Sequence, residues 1–288
     1  MSKIILSSDT TCDIGPELQA RYGLELFPFR VVLGDREYRD GVDLTAGDII
    51  RAYKEKKILP KTAASSPEEY KEYFRQWTDQ GCQVIHFTIG SGISGTFQNV
   101  SLAAGELEGV YPIDSQNLST GIALLIIQAA ERIAAGMPAA LIQAEVNSLR
   151  GNVHSSFVID TLEYLHKGGR CSALAKFGAN LLGLKPCIEV DNLSGKMSVG
   201  KKYRGSLDKV LPLYTRDKLA RFPGVDKSCV FITHSPIAPE LVETVRQILE
   251  QEGFQEIFET EAGCTITSHC GPGTLGVLFM ADEGYRAN

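Results

Sequence analysis

Val84-Ile85-His86-Phe87-Thr88-Ile89 runs straight into Gly90-Ser91-Gly92-Ile93-Ser94-Gly95, and a helical pattern begins at Thr96 and reaches about Glu108. A short, largely apolar run bounded by glycine predicts a strand buried on both faces. Glycines let backbone N–H groups approach a ligand, and the start of the following helix adds partial positive charge, so the loop is a candidate anion site. The match to G-x-G-x-x-G is literal, and Asp114 stands 19 residues beyond Gly95 at the end of a further predicted strand, Val110–Ile113. That is also the spacing of a dinucleotide fingerprint. The same residues therefore leave open an NAD(P)-dependent oxidoreductase built on the Gly90–Gly95 loop, for which the sequence offers no clear acid–base pair in the second half.

Outward from this stretch, Lys3–Ser7 predicts another buried strand, followed by a polar loop and a helix from Pro16. Residues 24–45 hold two strand-like runs around Gly34-Asp35, a hairpin signal, and Thr45 is placed to cap a helix through Lys56. Ser65-Ser66-Pro67-Glu68-Glu69 starts a helix to about Asp79 with a hydroxyl cap, proline in the first turn and acids at the positive end of the dipole. Two further helices are expected from about Ser119 to Ala135 and from Pro138 to Arg150. Such strand–helix alternation predicts a Rossmann-like parallel sheet with helices on both faces.

The pattern changes after residue 152. Val153–Asp160, Ile188–Val190, Lys196–Lys202, Val230–Thr233, Ile257–Glu261 and Thr274–Met280 are strand-like. Thr161–Leu165, Ser172–Leu184, Leu207–Arg221 and Glu240–Glu252 are helical, and Asn192-Leu193-Ser194-Gly195 signals a hairpin. The expected fold class is α/β: an N-terminal domain over 1–152 with a hairpin insertion at about 24–60, and a C-terminal α+β domain with a mixed sheet over 153–288, the ligand lying between them.

Composition narrows the function. With 29 basic and 35 acidic residues the net charge is −6, so no general basic field invites nucleic acid. Seven scattered cysteines without C-x-x-C, and an N-terminus that reaches acidic residues early, fit a reducing, cytoplasmic setting better than a disulfide framework or a secreted chain. The most apolar stretch, Gly121 to Ala130, is too short to span a bilayer, so no stable membrane insertion is expected. Gly92-Ile93-Ser94-Gly95-Thr96 is not a G-x-S-x-G elbow, no Walker-type lysine follows the loop, and Cys264, His269 and Cys270 lack a fourth zinc ligand. No catalytic residue, metal or cofactor is assigned.

Several segments jointly resemble the DegV family. They are Asp9-Thr10-Thr11-Cys12-Asp13, Tyr38-Arg39-Asp40-Gly41-Val42-Asp43, Lys61-Thr62 before Pro67, Ser94-Gly95-Thr96-Phe97-Gln98, and Asp114-Ser115 with Ser119 and Gly121. Leu162-Glu163-Tyr164-Leu165 leading to Gly168-Gly169-Arg170, Lys185-Pro186, Tyr203-Arg204 and His269-Cys270-Gly271-Pro272-Gly273 complete the set. The family's usual T-S-Q-P-S is Thr62-Ala63-Ala64-Ser65-Ser66 here, and its S-G-T-Y is Ser94-Gly95-Thr96-Phe97.

What the resemblance implies is a long-chain fatty acid between the domains, its carboxylate near Thr62, Ser94, Gly95 and His269. It also implies a non-catalytic carrier that presents the bound carboxylate to a separate fatty-acid kinase, making acyl phosphate for phospholipid synthesis. Arg170 and Arg204 are then expected to face the kinase. Phe177–Leu184 and Leu275–Met280 are candidate walls for the acyl tail. Blander uses stand beside these: Ser94 and Thr62 as caps, Asp9, Asp13 and Asp114 as loop anchors, and Lys167-Gly168-Gly169-Arg170 as a glycine-capped helix end.

Overall fold

The computed structural model describes residues 2–171, 183–222 and 224–282. The first half runs β1 (Ile4–Asp9), α1 (Pro16–Tyr22), β2 (Glu25–Phe27), β3 (Arg30–Leu33), β4 (Arg36–Arg39), α2 (Ala46–Lys56), β5 (Lys61–Ala63), α3 (Pro67–Thr78), β6 (Gln83–Thr88), α4 (Thr96–Gly105), β7 (Val110–Asp114), α5 (Thr120–Ala134) and α6 (Ala139–Leu149). The second half continues with β8 (Val153–Val158), α7 (Glu163–Gly168), β9 (Leu184–Val190), β10 (Met197–Arg204), α8 (Leu207–Arg221), β11 (Val225–His234), α9 (Pro239–Gln251), β12 (Glu256–Glu261), α10 (Cys264–Cys270) and β13 (Leu275–Ala281).

Strands β2-β1-β6-β7 form a wholly parallel sheet. Its central strands are buried on both faces, which is why they read as continuous apolar runs rather than alternating ones. Tyr70, Phe74 and Val100 of α3 and α4 cover one face through Ile5 and Val84. Helices α5 and α6 cover the other through Ile85, Phe87 and Ile113. The chain leaves β1 towards β2 on one side and β6 towards β7 on the other, so the carboxyl ends of β1 and β6 flank a topological switch point, where open α/β sheets bind ligands.

The second sheet is mixed, in the order β10-β9-β8-β13-β11-β12, with only the β11–β12 pair parallel among its pairings. Helices α8 and α9 cover its outer face. Helix α5 lies between the two sheets: one apolar cluster joins Ile122 to Ile127 with Ile85 and Ile113 on one side and with Phe157, Phe231 and Leu278 on the other. A helix apolar all round needs burial all round, and this packing supplies it.

A third, three-stranded sheet, β4-β3-β5, forms a lobe of its own. Leu33 pairs with Arg36, so Gly34-Asp35 is the two-residue turn expected of the hairpin, and Val31 pairs with Thr62. Reciprocal caps start α2 at Thr45 and Asp48, and α3 at Ser66 and Glu69. Strands β2 and β5 and helix α10 were not foreseen, because three- to seven-residue elements carry too little periodicity to be read. The helix expected at Thr161–Leu165 lies at Glu163–Gly168, and the one expected at Ser172–Leu184 falls, up to residue 182, outside the described residues.

The glycine loop has a second neighbour. A Cβ on Gly92 would stand 2.2 Å from the Ser194 carbonyl oxygen and 2.8 Å from the Gly195 carbonyl carbon, in the β9–β10 turn. A Cβ on Gly95 meets nothing within 4 Å. Because the obstacle at Gly92 is backbone, Gly92→Ala is expected to destabilise the protein by about 1–3 kcal/mol, and Gly95→Ala by less than ~0.5 kcal/mol. Urea midpoints measure both, and equal midpoints would mean that the loop does not rest on that turn.

Candidate functional site

Three elements from distant parts of the chain converge at the switch point. Strand β5 brings Thr62, the loop before α4 brings Ser94, and α10 brings His269. Thr62 Oγ1 lies 3.0 Å from His269 Nε2. Ser94 Oγ accepts the Thr96 backbone N–H at 3.3 Å and lies 2.8 Å from Thr96 Oγ1. All three side chains line one cavity that encloses about 550 Å³ of empty space, part of it open to solvent. Phe29, Ile89, Ile93, Leu118, Leu165 and Ile266 make most of its wall apolar. A further cavity of about 350 Å³ shares Leu118, Ile266 and Cys270 with the first and reaches Phe157, Gly276 and Leu278 on the mixed sheet.

Helix α10 is held at its start by two buried carboxylates. Asp40 accepts the backbone N–H of Cys264 at 2.7 Å and of Thr265 at 2.9 Å. Asp13 accepts the Gly263 N–H at 2.9 Å and the Ser119 hydroxyl at 2.6 Å. These bonds satisfy groups that a helix N-terminus otherwise leaves without partners. Burial nevertheless pushes the Asp13 carboxyl up to about 8, against the pull of Ser119 and Gly263. Asp9 anchors the other wall, accepting from the Tyr70 hydroxyl at 2.8 Å and from the Ile89 N–H at 3.3 Å.

Asp114 accepts both the backbone N–H and the hydroxyl of Ser91, at 3.0 and 2.6 Å, and the Gln116 N–H at 3.1 Å. Its carboxylate is spent on bracing the loop, and Gly92 is spent on close packing. The dinucleotide alternative thus finds no support in this geometry, since its acid and one of its glycines are engaged within the fold. Among the described residues no group of His, Cys, Asp and Glu is arranged to hold a metal, and no helix is long and apolar enough to cross a membrane.

The remaining sequence candidates are placed unevenly. Gly95 begins α4 directly behind Ser94. Arg170 lines the cavity mouth and donates to the Gly168 carbonyl at 2.8 Å. Arg204 lies apart, at the end of β10, in an open cleft with Asp160 and Lys185. Of the expected tail walls, Gly276 and Leu278 line the further cavity, while 177–182 lie outside the described residues. His269 sits in the last turn of α10, not merely on the Gly271-Pro272-Gly273 turn. Thr265 was missed: its hydroxyl is buried at the cavity wall and has no partner among the described residues. Its signal was the i, i+1, i+4, i+5 spacing of Thr265, Ile266, His269 and Cys270, one face of a helix.

A family model described as an uncharacterised protein of the DegV family matches residues 3–282. The chain belongs to the DegV family. A DegV domain-containing protein of Clostridium perfringens is 28% identical over 286 residues, covering 98% of this chain and 100% of the relative. Among solved structures, a DegV family protein from Thermus thermophilus described for fatty acid binding is 28% identical, with a TM-score of 0.85 over 97% of this chain and 100% of that one. A stearic acid-binding protein from Eubacterium ventriosum is 25% identical, with a TM-score of 0.83 over 98% and 99%. The departure from the usual DegV pattern at Ala63-Ala64 falls within the lining, through Ala64.

In this DegV chain burial holds His269 down to about 4, and the nearby Arg170 charge adds to the effect. The unfolded chain, with a histidine near its ordinary value of about 6.5, binds more protons than the folded one between these limits. Stability from His269 is therefore complete above about pH 6.5 and lost as pH falls towards 4. His269→Gln is expected to flatten that part of the acid limb in urea midpoints taken from pH 7 to 4. An unchanged slope would place the ring in contact with solvent.

Proposed function

We propose that this protein binds a long-chain fatty acid and presents its carboxylate to a separate fatty-acid kinase, without catalysing a reaction itself. One observation carries the reading: three polar side chains, two of them hydrogen-bonded to each other, line one cavity whose wall is otherwise mostly apolar. The carboxylate is assigned to Thr62, Ser94 and the Gly95 N–H, with His269 behind Thr62. The tail is assigned to the first cavity and the one beyond Leu118 and Ile266. On this reading the ligand lies between a domain of residues 1–152 and one of 153–288, since both stretches contribute wall.

The chemistry supports the assignment. Burying about 15 methylenes at ~0.8 kcal/mol each gives about 12 kcal/mol gross, and association costs of about 4–15 kcal/mol offset much of it. Tail burial supplies affinity, whereas the head group supplies orientation. Hydroxyl and backbone donors hold a carboxylate without a permanent salt bridge, which leaves it nucleophilic towards a phosphoryl group. The Thermus thermophilus and Eubacterium ventriosum relatives, described as binding fatty acid and stearic acid, favour the same ligand here. Exposed Arg170 and Arg204 are assigned to the kinase side, Arg170 beside the head group and Arg204 in the neighbouring cleft. Free thiols at Cys12, Cys82, Cys187, Cys229, Cys264 and Cys270 suit a reducing cytoplasm.

Recombinant protein is expected to carry host fatty acid, released by organic extraction and identified by mass spectrometry. Lipid-free protein that also fails to bind added oleate would falsify the proposal. Ser94→Ala is expected to weaken oleate binding about tenfold, the scale of one hydrogen bond to a charged group. Arg204→Glu is expected to leave oleate affinity unchanged while slowing acyl-phosphate formation by an added fatty-acid kinase. Equal phosphorylation of Arg204→Glu and wild type removes Arg204 from the partner surface.

A further inference from the structure

Helix α7 ends at Gly168, and Gly169 caps it in the left-handed conformation with φ of 69°. A Cβ on Gly168 would lie 2.3 Å from His269 Nδ1, 3.2 Å from Cε1 and 3.4 Å from Cγ. The imidazole therefore rests flush on the backbone of the last turn of α7. Its Nδ1 is buried and has no hydrogen-bond partner among the described residues, whereas Nε2 reaches Thr62.

A neutral imidazole carries a single hydrogen. On Nδ1 that hydrogen would be a buried donor without an acceptor, the costlier kind of orphan. On Nε2 it bonds Thr62 Oγ1. The threonine oxygen then accepts from the ring, and its own hydrogen is left for the cavity. Ser94 Oγ already accepts the Thr96 N–H. The buried Thr265 hydroxyl has no partner among the described residues, and Arg170 at the mouth has only donors to give. The head chamber thus has the Thr62 hydrogen turned inward, beside an unpartnered Thr265 hydroxyl and a cationic rim.

We infer, on the fatty-acid reading above, that Gly168 is a positioning residue: it seats His269 so that Thr62 donates into the cavity, and this selects an ionised acid over an uncharged lipid head. A side chain at position 168 pushes the ring off its seat, opens Nδ1 to water and removes the bond that turns the Thr62 hydrogen into the cavity. An alcohol head, which can donate as readily as accept, depends less on that orientation than a carboxylate, which only accepts.

Nitrogen-15 NMR of the imidazoles in lipid-free wild-type protein reads the tautomer directly. The Nε2–H form of His269 is expected, and the Nδ1–H form would overturn the inference. In parallel, oleate and oleyl alcohol are titrated against wild type and Gly168→Ala, with circular dichroism confirming that the variant is folded. Oleate affinity is expected to fall about tenfold in the variant and oleyl alcohol affinity to change by less than about threefold, so the preference for the acid shrinks. A folded variant that keeps the full wild-type preference overturns the role of Gly168. If wild type binds neither lipid, the reading of the cavity fails on its own, and the tautomer alone then decides whether Gly168 sets the ring.

Discussion

Two buried carboxylates grip the first turn of a seven-residue helix, and the polar end of the cavity depends on that grip. Asp40 comes from the small hairpin lobe and Asp13 from the loop after β1, so α10 is tied to two separate parts of the first half of the chain. A helix this short has little stability of its own. Its position comes from these bonds and from the packing of Cys264 against Val31, Leu44 and Ile49. The side chains a turn or more further on, His269 and Cys270, inherit that position.

The acidic residues nearest the cavity are used inside the fold. Asp9 braces the end of β6, Asp114 braces the glycine loop, and Asp13 and Asp40 hold α10. Each of these carboxyl groups meets donors of the protein itself, as buried polar groups require. Among the described residues, the polar groups that line the cavity are three hydroxyls, one imidazole, the Cys270 thiol and an arginine. That inventory sets polar donors and one imidazole against a wall that is otherwise mostly apolar.

The parallel sheet was plain in the sequence because its central strands are continuous apolar runs and its loops are marked by glycine and aspartate. The hairpin around Gly34-Asp35 and the capped starts of α2 and α3 were equally plain, since each is a local interaction written within four residues. The glycine loop could be singled out from its own residues, but Ser94 within it came with the resemblance to DegV proteins. Thr62 and His269 came only with the resemblance to DegV proteins, because nothing local shows that they will meet. Thr265 and the seat at Gly168 stayed hidden for a related reason. Their meaning lies in what packs on them from a hundred residues or more away, and periodicity reports only on neighbours. Arg170 and Arg204 were brought together only by the resemblance; the fold puts one in the cavity lining and the other in a separate cleft.

The bond between Thr62 and His269 spans 207 residues, and that between Asp13 and Gly263 spans 250. Contacts so distant along the chain close late, after loop entropy has been overcome by the local structure already formed. On a ribosome the first half, with Thr62 and Ser94, emerges before α10 exists, so its side of the pocket wall waits for His269 and Cys270 to close over it. The interval before that last helix docks is therefore the one in which the apolar lining stands most open to chaperones.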